Sequence, residues 1–128
     1  MAFVHLHVHS HYSLLESTIK IPDLIRRTKE YGMTSVALTD HGNMFGAVDF
    51  YLAAKQESIK PILGCDIFYK LGSRHQRSVK GKRVLLSDAA DNLQLFRLVL
   101  LCKNEIGYRN LCEIVSCGFK EGFEFIYG

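Results

Sequence analysis

The chain has 128 residues, 48% of them hydrophobic, which suits one ordinary domain with a sizeable core. Its formal charge of +3, from 16 basic and 13 acidic residues, is too small for nucleic-acid binding by phosphate attraction alone. Met1-Ala2-Phe3-Val4 leads directly into histidines without a signal-peptide pattern, and the apolar run Leu98 to Cys102 is only strand-sized, so a cytoplasmic protein is expected.

Phe3, His5 and His7 alternate with Val4, Leu6 and Val8, predicting a short β-strand that ends near His9, with histidines on one face and aliphatics on the other. After a serine-rich connection, Pro22 stands where a helix can begin without its N–H. Leu24, Ile25, Thr28 and Tyr31 then follow at helical spacing until Gly32 stops it. Ser35 to Thr39 reads as a second strand, ended by the polar turn Asp40-His41-Gly42-Asn43. A second helix is predicted from Ala47 to Glu57, with Val48, Tyr51, Leu52 and Lys55 on one stripe. Pro61 opens a third strand, Ile62 to Tyr69, and Leu71 to Arg83 reads as a solvated basic loop. A fourth strand from Phe96 to Cys102 and a last helix from Gly107 to Gly118 complete the order.

Phe45, Phe50, Tyr51, Phe68 and Phe96 are expected to pack between helices and strands. Cys65, Cys102, Cys112 and Cys117 form no C-x-x-C pair and read as buried free thiols. The alternation of strands and helices implies parallel strands with crossover helices, fold class α/β. An open doubly wound sheet and part of a (β/α) barrel both remain, and no Gly-x-Gly-x-x-Gly supports dinucleotide binding.

Ionisable residues gather at the carboxyl ends of three successive predicted strands: His7, His9 and then Glu16, next Asp40 and His41, and finally Asp66. Barrel active sites are built there. Two apart in a strand, His7 and His9 project from one face and can converge on one ion or two neighbouring ones. Taken singly, each is an ordinary polar residue, and a lone His-x-His is weak evidence. Together they mix nitrogen and oxygen donors in a way that suits zinc, manganese or iron.

Four segments in order, Phe3-Val4-His5-Leu6-His7-Val8-His9-Ser10, Tyr12-Ser13-Leu14-Leu15, Ala37-Leu38-Thr39-Asp40-His41-Gly42-Asn43-Met44-Phe45-Gly46-Ala47 and Lys60-Pro61-Ile62-Leu63-Gly64-Cys65, closely resemble the polymerase and histidinol phosphatase (PHP) domain family. The form they are most similar to is the one that opens the alpha subunits of bacterial C-family replicative DNA polymerases. Leu100-Leu101-Cys102-Lys103-Asn104, Gly107-Tyr108-Arg109-Asn110-Leu111 and Glu121-Gly122-Phe123 extend the likeness over nearly the whole chain.

The resemblance implies a distorted (β/α)7 TIM-like barrel with a cluster of divalent ions (zinc, manganese, iron or magnesium) at its carboxyl face. Residues 1–128 would be its N-terminal portion, with later strands and the polymerase core beyond. His7, His9, Glu16, His41 and Asp66 are implied as ligands. Asp40 matches as a ligand or as a residue that orients an imidazole. The hydrolytic agent would be a metal-activated water, with no catalytic side chain assigned. The sequence departs from the family pattern in carrying Glu16 for the usual Asp, Asp66 for the usual Glu, and Arg97 for a histidine. A guanidinium is no metal ligand, and His75 in the basic loop is the candidate substitute.

Three functions follow. The first is DNA-directed DNA synthesis (nucleotidyl transfer) by a longer replicative polymerase, with this domain a metal-dependent phosphoesterase or 3′–5′ exonuclease site or its scaffold remnant. The second is a free-standing phosphatase resembling histidinol phosphatase, and the third a non-catalytic module that docks the proofreading subunit. The extended run Asp40 to Ala47 favours the first over the second. Implied partners are the remainder of the polymerase alpha subunit, DNA, the proofreading exonuclease and the sliding clamp, with no membrane. The loop carrying Arg74, Arg77, Lys80, Lys82 and Arg83 is the one place with charge dense enough to touch a DNA backbone.

Overall fold

The structure is a computed structural model and describes residues 3–70 and 95–121. The basic loop and His75 lie outside the described residues. The elements are α1 (Ile21–Glu30), β1 (Ser35–Leu38), α2 (Ala47–Gln56), β2 (Lys60–Lys70), β3 (Leu95–Leu101) and α3 (Glu105–Glu121). No helix among the described residues is long and apolar enough to cross a membrane.

Helix α1 starts with Pro22 in its first turn and buries Ile21, Ile25 and Thr28, positions i, i+4 and i+7 on one face. Beyond it Gly32 takes the left-handed conformation at φ 66°, which ends a helix without a Cβ penalty. In α2 the buried stripe is Ala47, Phe50 and Ala54, while Val48, Tyr51 and Leu52 are exposed. The expected stripe is therefore corrected. Both faces of α2 are apolar, so periodicity could not rank them, and the small alanines let the helix axis approach the sheet while Phe50 fills the gap. Phe50 joins Ile21, Ile25, Val36, Leu38, Ala54 and Ile59 in the core. Of the aromatics expected inside, Phe45, Tyr51, Phe68 and Phe96 are exposed.

The sheet runs β1-β2-β3. Strands β1 and β2 are parallel, Ser35 opposite Lys60 through Leu38 opposite Leu63, and the same register reaches an isolated bridge between His41 and Asp66. Strand β3 runs antiparallel to β2, Gly64 opposite Leu101 through Lys70 opposite Leu95. This corrects the expectation of parallel strands throughout. An antiparallel return needs no crossover helix, and from residue 71 the sequence turns to Gly, Ser, Lys and Arg rather than to an apolar helical repeat. The mixed α/β class stands.

The first segment is extended but forms no ladder, contrary to the strand expected there. Ala37 N–H donates to His5 O at 2.9 Å and Thr39 N–H to Val8 O at 2.8 Å. Two residues of one chain thus span three of the other, a bulge-like slip that interrupts regular pairing. The Thr39 hydroxyl takes over part of the ladder's work, accepting from Val8 N–H at 2.9 Å and donating to Val8 O at 3.1 Å.

Strand β2 leaves no room for a side chain at Gly64, where an added Cβ would lie 2.4 Å from Leu100 O and 2.9 Å from the Thr39 methyl. Gly64→Ala must therefore push the two strands apart beside the site. The expected outcome is a loss of about 1–3 kcal/mol of stability, read as a lower midpoint in thermal or urea unfolding.

Candidate metal centre

The middle of β2, just past the last residue paired with β1, places Asp66 fully buried between the His41 bridge and β3. Its backbone is locked on one side, since Asp66 N–H donates to Asp40 O at 3.0 Å and Gly42 N–H donates to Asp66 O at 2.8 Å. Gly42 reaches that position at φ 65°, which a β-carbon would strain. The side-chain oxygen Oδ2 faces His7 Nε2 at 3.0 Å and His9 Nε2 at 3.3 Å, and the two nitrogens are 3.2 Å apart.

Glu16 stands behind the imidazoles. Its Oε2 lies 3.1 Å from His9 Nδ1 and its Oε1 accepts from His41 Nδ1 at 2.6 Å. Because an ionised carboxylate only accepts, both Nδ1 atoms carry hydrogen. His9 Nε2, 3.3 Å from Asp66 Oδ2 and 3.2 Å from His7 Nε2, is the nitrogen left to meet a proton or a metal ion. Electronegative atoms packed this closely need positive charge among them. The edges of 3.0, 3.2 and 3.3 Å match the spacing of about 3.0–3.4 Å that neighbouring donors adopt around a small divalent ion at ~2.0–2.1 Å. The donor set fits a metal ion: the ligand atoms of His7, His9 and Asp66 lie within 4.8 Å of one another.

The remaining site residues stand at one remove. His41 reaches this group through Glu16, and its ring is stacked 6.3 Å from that of His9. Asp40 serves a different network: Oδ1 accepts from Ser10 N–H at 2.6 Å and Ser13 Oγ–H at 2.6 Å, and Oδ2 accepts from Ser10 Oγ–H at 2.8 Å. Ser13 Oγ in turn accepts from His41 N–H at 3.0 Å. Asp40 thus pins the 10–13 turn to the end of β1, and with it the approach of Glu16. Ser17 completes the turn by donating to His9 O at 2.8 Å. These serines were visible only as a serine-rich connection, because nothing in their spacing names the acceptor.

Arg97 is the second residue whose partners the sequence did not name. It pairs with Phe68 across β2 and β3, which puts it on the same face as Asp66, its diagonal neighbour. Nη2 donates to Asp66 Oδ2 at 2.5 Å and to Glu16 Oε2 at 3.4 Å, and Nε lies 3.4 Å from Asp66 Oδ1. Burial pushes the Asp66 carboxyl up, but the Arg97 and His7 contacts outweigh it and hold the group below the ordinary carboxylate range. Glu16 behaves alike, with burial opposed by the hydrogen bond and charge of His41 and by the charges of Arg97 and His9. The hydrogen bond to Asp66 raises Arg97 in turn.

Cys65 beside the site is buried, donates to Asp40 O at 3.2 Å, and is pushed up to about 11 by that burial. It is a packing thiol, not a thiolate ligand or nucleophile. Cys102 and Cys112 are half-buried, and Cys117 is exposed, contrary to expectation.

Residues 5–128 match the profile of the PHP domain. The chain belongs to the PHP domain family. Relatives of this PHP domain include DNA polymerase III subunit alpha of Chlamydia pneumoniae, 46% identical over 125 residues, which cover 98% of this chain and 9% of the relative. The same subunit of Aquifex aeolicus is 41% identical over 123 residues, 96% of this chain and 10% of that protein. The chain thus spans about a tenth of the length of the curated relatives it matches. In fold, this PHP domain is similar to an amidohydrolase from Chromobacterium violaceum solved with bound sulfate and no metal. The TM-score is 0.53 at 20% identity, covering 89% of this chain and 33% of that one.

The Asp40 network predicts its own variants. Asp40→Asn replaces one acceptor oxygen by a donor facing buried hydroxyls, and should cost about 2–3 kcal/mol in urea unfolding. Ser10→Ala removes a single partner and should cost about 1 kcal/mol.

Proposed function

We propose that this chain is the N-terminal PHP domain of a bacterial DNA polymerase III alpha subunit, and that His7, His9 and Asp66 form a divalent-cation site of phosphoesterase type within it. The observation that carries the site is the triangle of two imidazole nitrogens and one buried carboxylate oxygen. The polymerase assignment draws on the 46% identity over 98% of the chain. DNA synthesis would then belong to the longer protein, in the cytoplasm, with DNA, the proofreading exonuclease and the sliding clamp as partners. The three strands here would be the first part of a distorted (β/α)7 barrel.

In this proposal Glu16 fixes the tautomer of His9 and His41 so that each Nε2 keeps its lone pair, as carboxylates do behind ligating histidines. His41 stands beside the triangle as a further donor. Asp40 holds the turn from which Glu16 projects, and the strand β2 backbone keeps Asp66 from moving. A divalent ion bound there supplies Lewis acidity toward a phosphoryl oxygen. His7, with its side chain 52% exposed, forms the open side on which a phosphodiester or a DNA 3′ end would approach. A specific observation also favours a scaffold: the Arg97 guanidinium already satisfies the carboxylates of Asp66 and Glu16, so the fold does not depend on metal for charge balance.

Zinc uptake and hydrolysis of a 3′-terminal phosphodiester by the full-length protein test the proposal. Wild type should take up zinc at saturation, and His9→Ala should lose both that ion and the hydrolysis. Uptake equal in the two proteins rules out a cation at the triangle. Uptake lost in the variant without any hydrolysis in wild type leaves the scaffold. Glu16→Gln keeps the ligands but disturbs their orientation, and should weaken zinc binding about 10–100-fold in a calorimetric titration.

A further inference from the structure

We infer that the Arg97 guanidinium is a resident cation that competes with a divalent ion for Asp66, so that this domain holds its acidic site together without metal and loads metal only by displacing its own side chain. The inference rests on the cation site proposed above and adds what regulates its occupancy.

The competition is for one oxygen. Asp66 Oδ2 accepts from Arg97 Nη2 and is also the corner of the triangle shared with His7 and His9. The guanidinium further covers Oδ1 at 3.4 Å and reaches Glu16 at 3.4 Å, so it links the carboxylate of the triangle to the carboxylate that orients the imidazoles. An ion at the triangle would sit within a few ångströms of a second positive charge, and both need the same lone pairs. Unlike the imidazole the family resemblance leads one to expect, a guanidinium has no lone pair to share with a metal and does not shed its proton in the working pH range. It can only replace an ion.

Displacement is nonetheless feasible. Arg97 is an exposed-side residue, its side chain 47% accessible against none for Asp66. It rests on the face of Phe68, 6.0 Å from the ring centroid, and Phe68 also meets the His41 ring edge-on at 4.7 Å. The side chain can leave Asp66 toward solvent without unpacking the core, whereas the Asp66 backbone is fixed by Asp40 and Gly42.

Zinc titration of the chelator-stripped full-length protein tests this, comparing wild type with Arg97→Met and Arg97→Gln, which keep bulk but not charge, and with Arg97→Lys, which keeps charge. The neutral variants should bind zinc about ten-fold or more tightly, and zinc should raise their unfolding temperature more than it raises that of wild type. Arg97→Lys should stay near wild type. Equal or weaker binding by both neutral variants overturns the competition while leaving the cation site intact. Binding by the neutral variants but not by wild type supports the competition and removes the metal-loaded form of the proposed function. Binding by none of them overturns both.

Discussion

A single buried carboxylate organises this domain. Asp66 has no solvent exposure, and an ionised group in that position costs several kcal/mol unless charge and hydrogen bonds compensate it. The compensation comes from three side chains on two separate stretches of chain: the imidazoles of His7 and His9 from the extended first segment, and the guanidinium of Arg97 from β3. Bringing positive or donor groups to Asp66 therefore also brings the first segment and the antiparallel strand together across β2. The site and the sheet topology answer one electrostatic requirement.

Asp40 shows that burial alone does not decide what a carboxylate does. Like Asp66 it is buried, and the two residues are neighbours through a backbone hydrogen bond from Asp66 N–H to Asp40 O. Yet Asp40 is surrounded by two hydroxyls and an amide, all neutral donors, which between them reach both of its oxygens. Asp66 is surrounded by nitrogen atoms that can carry charge or share an ion. The first arrangement is a fastener for the 10–13 turn, and the second is a place where a cation can reside. Their different partners follow from register: Asp40 lies at the end of β1 facing the turn, while Asp66 lies inside β2 facing β3.

Much of this was readable from the residues because it depends on local spacing. His7 and His9 lie two apart in extended chain, and their Nε2 atoms do come within 3.2 Å even though no ladder forms. Pro22 and Gly32 bracket α1 as their backbone preferences require, and the apolar runs at 35–38 and 60–70 are strands. What spacing could not supply was direction and partner. The antiparallel course of β3 decides that Arg97 falls beside Asp66, and that is a fact about strands separated by residues 71–94. Sequence alone marked Arg97 as the residue standing where the family resemblance calls for a histidine, which placed it near the candidate site without revealing that it would bond Asp66. The inverted faces of α2 have a similar cause, since alanine is a weak hydrophobic signal but an effective spacer against a sheet.

The two halves of the site are also held in different ways. Asp66 belongs to a strand paired on both edges, so its position is set by the sheet. His7 and His9 lie on a segment held by backbone bonds at His5 and Val8, by two bonds through the side chain of Thr39, and by Ser17 at His9 O. An oxygen set by the sheet thus faces two nitrogens set by turn and side-chain bonds, so the two parts of the triangle rest on different supports. Against both supports Arg97 places a fixed positive charge, paired with the carboxylates of Asp66 and Glu16. Of the three departures from the family pattern, Arg97 is the one that brings a cation instead of a lone pair, and on the proposal above it has most influence over whether the set is used.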